Sequence, residues 1–467
     1  VIGTHGATLG GADEPSDGVY VLDGATGRVR TTIRPPGTGD LDVGGIALDG
    51  DTAYFGTDHG KVIAARLDGK ILWTADLRGK VRPAPALADL DGDGHADVVV
   101  GDEQGELVAL DGATGRRLWL AKTSVNAYGA TGFIGAAALG DLDGDGRPDV
   151  VAGGRDGVLA AYRGRDGKVL WQVPHGSGIH ASPSIADFDG NGTLEVLAAW
   201  SYSDVAVLEG ATGTELWGQP VELDGAGIEG LFASPIPLPG ASPAEPGVLV
   251  QGTAWWDRDD GVVGVGAFER AWKSFEGRVT ASAVVGDLDG DGVSEAVVGT
   301  EKGKLVALHA DGGYAVLGQL PGGIEASAMI ADVDGNGSYE LLVASNDGNL
   351  SCFETGSRHA PTVARFRGND AHNRGDLGVV RLGWRARPGV PVPRAGVEVA
   401  PPGVRVEYLT CCQALADAAV RAPAETGRLL LKASATCLSM AADGKSADEM
   451  RAAVRGAVGQ TLPRECR

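Results

Sequence analysis

Five ten-residue stretches carry carboxylates at one fixed spacing: ADLDGDGHAD from Ala88, GDLDGDGRPD from Gly140, ADFDGNGTLE from Ala186, GDLDGDGVSE from Gly286 and ADVDGNGSYE from Ala331. A D-x-D-G-D-G turn brings side-chain oxygens from positions 1, 3 and 5 around one point, while glycines at 4 and 6 let the chain curl. Position 7 offers a backbone carbonyl and position 9 a closing carboxylate. Calcium takes six to eight hard oxygens at about 2.3–2.6 Å. The expected ligand sets are Asp89, Asp91, Asp93, Asp97; Asp141, Asp143, Asp145, Asp149; Asp187, Asp189, Asn191, Glu195; Asp287, Asp289, Asp291, Glu295; and Asp332, Asp334, Asn336, Glu340. One copy alone would be explained equally well by a plain Asp-Gly hairpin. Five copies of one donor pattern predict about five bound Ca2+ ions, and Mg2+ fits less well because it rarely uses an all-protein cage. The expected role is structural: without cations the clustered carboxylates repel one another, so metal binding becomes folding free energy.

These loops recur with a period. Their first aspartates are separated by 52, 46, 100 and 45 residues. The double interval contains ASPIPLPG from Ala233, which aligns with ASPSIADFDG from Ala181 but has lost every carboxylate. A second word recurs at the same period: VYVLDGATGRVR ending at Arg30, AARLDGKILW at Trp73, LVALDGATGRRLW at Trp119, AAYRGRDGKVLW at Trp171 and VAVLEGATGTELW at Trp217. Short apolar or alternating runs flanking Asp-Gly or Thr-Gly turns read as hairpin strands. In the third unit the expected strands are 84–88, 97–101, 106–111 and 116–120, with the acidic loop joining the first two. Four short antiparallel strands repeated every 45 residues or so predict an all-β propeller. We count eight units, roughly 1–35, 36–75, 76–120, 121–172, 173–218, 219–275, 276–318 and 319–366, or seven blades if the first unit is only a closing element. The terminal tryptophans are expected to pack between blades.

The DLDGDGxxD loops resemble the calcium-binding loops of FG-GAP and VCBS repeat propellers, found in integrin alpha chains and bacterial surface proteins. The LDGATGxxLW turns are similar to the blade motif of the PQQ-like propellers, which include quinoprotein dehydrogenases and a non-enzymatic outer-membrane assembly scaffold. Together the two motifs cover about residues 1–370. The first resemblance implies a calcium-binding adhesion or surface module. The second leaves room for a quinone enzyme, in which adjacent cysteines lie bonded over the quinone, but here the adjacent pair Cys411 and Cys412 falls beyond the propeller.

Aromatic residues outside the repeat pattern mark a candidate ligand face opposite the acidic loops: Tyr128, with Phe133 nearby, Trp200 and Tyr202, and Trp255 and Trp256. Such residues stack on sugars or anchor proteins, although ordinary loop packing explains them as well. Residues 371–405 are Pro-rich and read as a linker or closing segment. Residues 406–467 show apolar spacing of helical period, with Ser446 and Glu449 as a capping box, and read as a small helical domain. It holds Cys411, Cys412, Cys437 and Cys466, expected as two disulfides of unassigned pairing, because so short a segment builds a small core. Cys352, on a strand of the last unit, is expected to be a buried free thiol.

Composition narrows the partners. Lys and Arg total 40 against 62 Asp and Glu, a formal charge of -22 and a pI near 4.7, which repels nucleic-acid backbones and anionic lipid. The 75 glycines lack a three-residue period, so collagen is excluded, and 43% hydrophobic residues with a mean hydropathy of -0.02 argue against disorder. No run approaches the roughly 20 apolar residues of a membrane span. The chain opens at Val1 and reads as a mature or trimmed soluble chain. The favoured expectation is a secreted, periplasmic or cell-surface propeller binding protein or carbohydrate. Two alternatives stand beside it: a structural subunit of an envelope assembly docking through its helical domain, and a quinone-dependent or polysaccharide-acting enzyme.

Overall fold

A computed structural model of the chain describes residues 1–4, 17–37, 41–124, 129–201, 204–220, 231, 233–239, 248–252, 262–265, 270–273 and 277–361. Among them there is no helix; all regular structure is strand. Tyr128, Tyr202, Trp255, Trp256, the 371–405 segment and the expected helical domain with Cys411, Cys412, Cys437 and Cys466 lie outside the described residues.

The strands form eight antiparallel sheets in chain order, six of four strands and two, the first and the last, of three. The third sheet shows the plan. Its strands Ala86–Ala88, Asp97–Gly101, Glu106–Leu110 and Arg117–Lys122 pair only with their sequence neighbours. The two middle strands are buried throughout, and the outermost is exposed at its two ends, Arg117 and Lys122, with Trp119 buried between them. Near-continuous Val, Leu and Ala in the middle strands follow from packing on both faces. The sixth sheet, whose loop has lost its carboxylates, keeps all four strands: Ile236–Leu238, Val248–Gly252, Val262–Val265 and Arg270–Lys273.

The core lies between sheets rather than within one. One cluster joins Val43 and Phe55 of the second sheet to Val19 of the first. Further clusters join Tyr54 and Trp73 to Val98 and Val108, Trp119 to Ala152 and Tyr162, Trp171 to Val196, and Val297 to Leu341. Each sheet therefore buries a face on its successor. The first and eighth sheets also meet: a Cβ placed on Gly24 would stand 1.9 Å from the carbonyl oxygen of Val333.

The recurrent tryptophans are tied across these seams as expected. Trp73, Trp119 and Trp171 donate their indole N–H to the carbonyls of Gly112, Gly164 and Gly210 in the following sheet, at 2.7, 2.5 and 2.7 Å. The same rings lie flat on Gly115, Gly167 and Gly213 of the next turn, where a Cβ would come within 2.6–2.8 Å of ring carbons. Glycine is needed there for this approach as well as for the turn's left-handed backbone, with φ of 72, 68 and 70°. A second tie was visible only as a recurring Ala-Ser word. The Ala136 N–H donates to Ser182 Oγ, the Ser182 N–H to Ser234 Oγ and the Ser234 N–H to Ser282 Oγ, a chain of buried bonds running through four consecutive sheets.

Candidate metal centre

Each acidic loop hangs between the first two strands of its sheet. The residue before position 1 pairs with position 9 in the ladder: Ala88 with Asp97, Gly140 with Asp149, Ala186 with Glu195, Gly286 with Glu295 and Ala331 with Glu340. The loop is thus pinned at both ends. Inside it, the position 1 carboxylate accepts the N–H groups of positions 4 and 6; for Asp89 these are Gly92 at 2.7 Å and Gly94 at 3.0 Å, and the pattern repeats at Asp141, Asp187, Asp287 and Asp332. Positive φ at both glycines lets these N–H groups turn inward, at 84 and 88° for Gly92 and Gly94.

In four loops the carboxylate oxygens of positions 1, 3 and 9 gather within 4.8 Å of one another: Asp89, Asp91, Asp97; Asp141, Asp143, Asp149; Asp187, Asp189, Glu195; and Asp332, Asp334, Glu340. In the seventh sheet the group is Asp287, Asp289 and Asp291, positions 1, 3 and 5. In all five loops the position 5 side chain, Asp93, Asp145, Asn191, Asp291 or Asn336, accepts the N–H two residues on, forming a local turn at 2.6–2.9 Å.

The closing carboxylates are buried, at 0–3% exposure. Burial is the main cause that pushes Asp97 and Asp149 up to about 6 and Glu195 up to about 7, and it also raises Glu295 and Glu340; a neighbouring position 3 aspartate adds to each. An N–H bond from position 2 opposes the rise, at 2.7–3.2 Å. Aspartate and glutamate differ in what remains. Asp97 and Asp149 give their second oxygen to Gly112 and Gly164 of the hairpin turn. The longer glutamates do not: Glu295 Oε1 and Glu340 Oε1 are buried and accept no hydrogen bond. A buried carboxylate oxygen without a donor costs free energy, and beside two further carboxylates a cation is the partner such a donor set fits.

The expected ligand face has two described members. Trp200 is 3% exposed, packed in a core cluster with its ring centroid 4.9 Å from that of His175, and its indole N–H has no acceptor. Phe133 is likewise buried, pressed against Gly101. Neither offers a stacking surface to solvent. Beside Trp200, His180 Nδ1 and Ser201 Oγ are 2.5 Å apart, and burial pushes the imidazole down to about 4. Cys352 departs from expectation: it is free but exposed, on the outermost strand of the eighth sheet, where the described residues place no fourth strand over it.

Sequential four-stranded antiparallel sheets, each packed face to face on the next, define a β-propeller. Residues 15–228 match the family model described as outer membrane protein assembly factor BamB. No curated protein matches the chain. Among solved structures, BamB from Moraxella catarrhalis aligns with a TM-score of 0.51 at 18% identity, over 74% of this chain and 93% of that one. Sqt1 from Saccharomyces cerevisiae aligns at 0.52 and 14% identity, over 70% and 87%. A quinohemoprotein alcohol dehydrogenase from Pseudomonas putida HK5 aligns at 0.50 and 15% identity, over 88% and 78%. At these identities the likeness is one of fold. No helix among the described residues is long and apolar enough to cross a membrane.

Proposed function

We propose that this chain is an envelope or cell-surface β-propeller of eight blades that binds other proteins, with Ca2+ held in five loops of FG-GAP/VCBS type as part of its folded structure. The observation that carries the calcium reading is Glu340: a carboxylate 2% exposed, with Oε1 lacking any donor, gathered with Asp332 and Asp334 in a geometry repeated in three other loops. The abutment of Gly24 on Val333 supports closure of the first blade on the eighth. Protein binding and envelope location are supported by the match to an outer membrane assembly factor over residues 15–228.

Cross-linking of the full chain in envelope preparations, with Ca2+ and after its removal, tests the binding role. The reading expects a reproducible protein cross-link that requires calcium. Binding on a carbohydrate array without protein cross-links would favour the sugar-binding alternative, and dye reduction on adding quinone and calcium would favour the enzyme.

A further inference from the structure

We propose that residues 382–387, which lie outside the described residues, supply a fourth strand to the eighth sheet, and that Trp384 seats its indole on the turn from Gly24 to Gly27 of the first sheet. The inference rests on the contact between the first and eighth sheets and not on the calcium reading.

The receptor for such a ring is already built. The first sheet carries DGATG from Asp23 to Gly27, the same word as Asp111 to Gly115. In the later turn Trp73, from the fourth strand of the preceding sheet, bonds the Gly112 carbonyl and lies on Gly115. Gly27 has the same left-handed backbone, with φ of 66° against 72° at Gly115. Yet a Cβ on Gly27 would meet nothing within 4 Å, and Gly24 is exposed where Gly112, Gly164 and Gly210 are buried. By the order of the sheets, the ring that fits there comes from a fourth strand of the eighth.

The eighth sheet shows the complementary gap. Its third strand, Asn349–Glu354, is exposed at Asn349, Leu350, Cys352 and Glu354, whereas the third strands Glu106–Leu110, Val158–Tyr162 and Lys304–Leu308 have no exposed position. An open edge of this kind is a template for one more strand. Register names the empty place. Ala109, Ala161 and Val207, each 0% exposed, face Trp119, Trp171 and Trp217, and each precedes the residue paired one step after the closing carboxylate: Leu110, Tyr162 and Leu208. In the eighth sheet that residue is Phe353, so the position that faces a tryptophan is the exposed Cys352.

Beyond Glu354 the chain does not fold straight back as a hairpin. His359 pairs with Asp287, and Pro361 lies against Gly286, both in the seventh sheet. The strand must therefore come from further along, and Trp384 is the only tryptophan in the sequence after Cys352. LGWRAR from Leu382 places Trp third and Ala fifth, as do the fourth strands ILWTAD from Ile71 and RLWLAK from Arg117. The 20 residues between Pro361 and Leu382 reach up to about 65 Å when extended. In the shared register Trp384 faces Cys352 and Ala386 faces Leu350.

Two measurements on the full chain test this. Alkylation of Cys352 by iodoacetamide, followed peptide by peptide at one pH, should be at least about tenfold faster in Trp384→Ala than in the unaltered chain, because the covering strand is released. A chain carrying Cys352→Ser, Leu350→Cys and Ala386→Cys keeps Trp384 and does not depend on the folding of the first variant. Mild oxidation should join its two introduced thiols within one chain. Equal alkylation rates in a folded Trp384→Ala chain, or no link between positions 350 and 386, would overturn the inference. A link between two chains would assign the strand to a second copy and overturn closure within one chain. Both readouts stand whether or not the chain binds calcium.

Discussion

Trp119 donates its indole N–H to the carbonyl of Gly164, 45 residues further along and in the next sheet, at 2.5 Å. The ring is 7% exposed and covers Gly167 of the same turn. The bond and the apolar contact together stitch one sheet to the next. Replacing Trp119 by Phe keeps much of the packing but strands a buried carbonyl, at a cost of about 1–3 kcal/mol. Trp119→Ala should cost about 3–5 kcal/mol. Urea denaturation of the two variants measures both, and equal losses would show that the hydrogen bond contributes nothing beyond the ring.

The close approach of the first sheet to the eighth makes a separate prediction. Gly24→Ala drives a methyl group onto the Val333 carbonyl, and overpacking of this kind costs about 1–3 kcal/mol. Gly27→Ala in the same turn meets nothing within 4 Å, though its positive φ of 66° carries its own strain. Gly24→Ala should therefore be the more destabilising of the two in thermal melts. A neutral Gly24→Ala would mean that the first and eighth sheets do not pack together.

The buried closing carboxylates contribute a pH dependence to the cation-free chain that, between about pH 4 and 7, runs opposite to that of a salt-bridged carboxylate. Asp97 and Asp149 rise from 3.8 to about 6, and Glu195 from 4.5 to about 7, mainly through burial. Within that window the folded chain holds protons that the unfolded chain has released, so stability from these groups falls as pH rises. On the proposed calcium reading, the cation needs the ionised carboxylates, so its stabilising increment should grow through the same window. Melting temperatures of a chelator-dialysed chain, with and without Ca2+ from pH 5 to 8, should converge toward the acid end. Parallel curves would contradict the buried-carboxylate account.

Much of this was legible because the signals repeat. The carboxylate spacing located all five loops, and the Asp-Gly and Trp words located the hairpins and the sheet seams. The Ser182, Ser234 and Ser282 ladder was present in the aligned Ala-Ser words but is meaningful only once adjacent sheets are seen to share hydrogen bonds. His359 was not legible: it lies in the turn that departs from the repeat, 72 residues from Asp287. Trp200 was placed on an open face by its position in a connection between strands, yet its side chain folds back into the core against His175. Cys352, read as a buried thiol on a strand of the last unit, is exposed, and among the described residues its sheet has no fourth strand beside it.

On the proposed calcium reading, position 3 separates metal binding from folding. Asp91 is exposed and accepts the Asp93 N–H at 3.1 Å, a bond that asparagine can also accept, and its charge adds to the raised pKa of Asp97. Asp91→Asn should leave the cation-free chain unchanged or slightly more stable, within about 0.5 kcal/mol, while reducing the rise produced by Ca2+. A loss of cation-free stability well above that range would make Asp91 a structural residue rather than a ligand.

The most direct test of the central claim is calorimetric melting of the full chain, first free of divalent cations and then across a Ca2+ series. A native-state ligand adds about 2.7 kcal/mol per site at one hundred times its dissociation constant. The account predicts a melting temperature that climbs steadily with calcium and returns on chelation. An identical melt with and without calcium would contradict it.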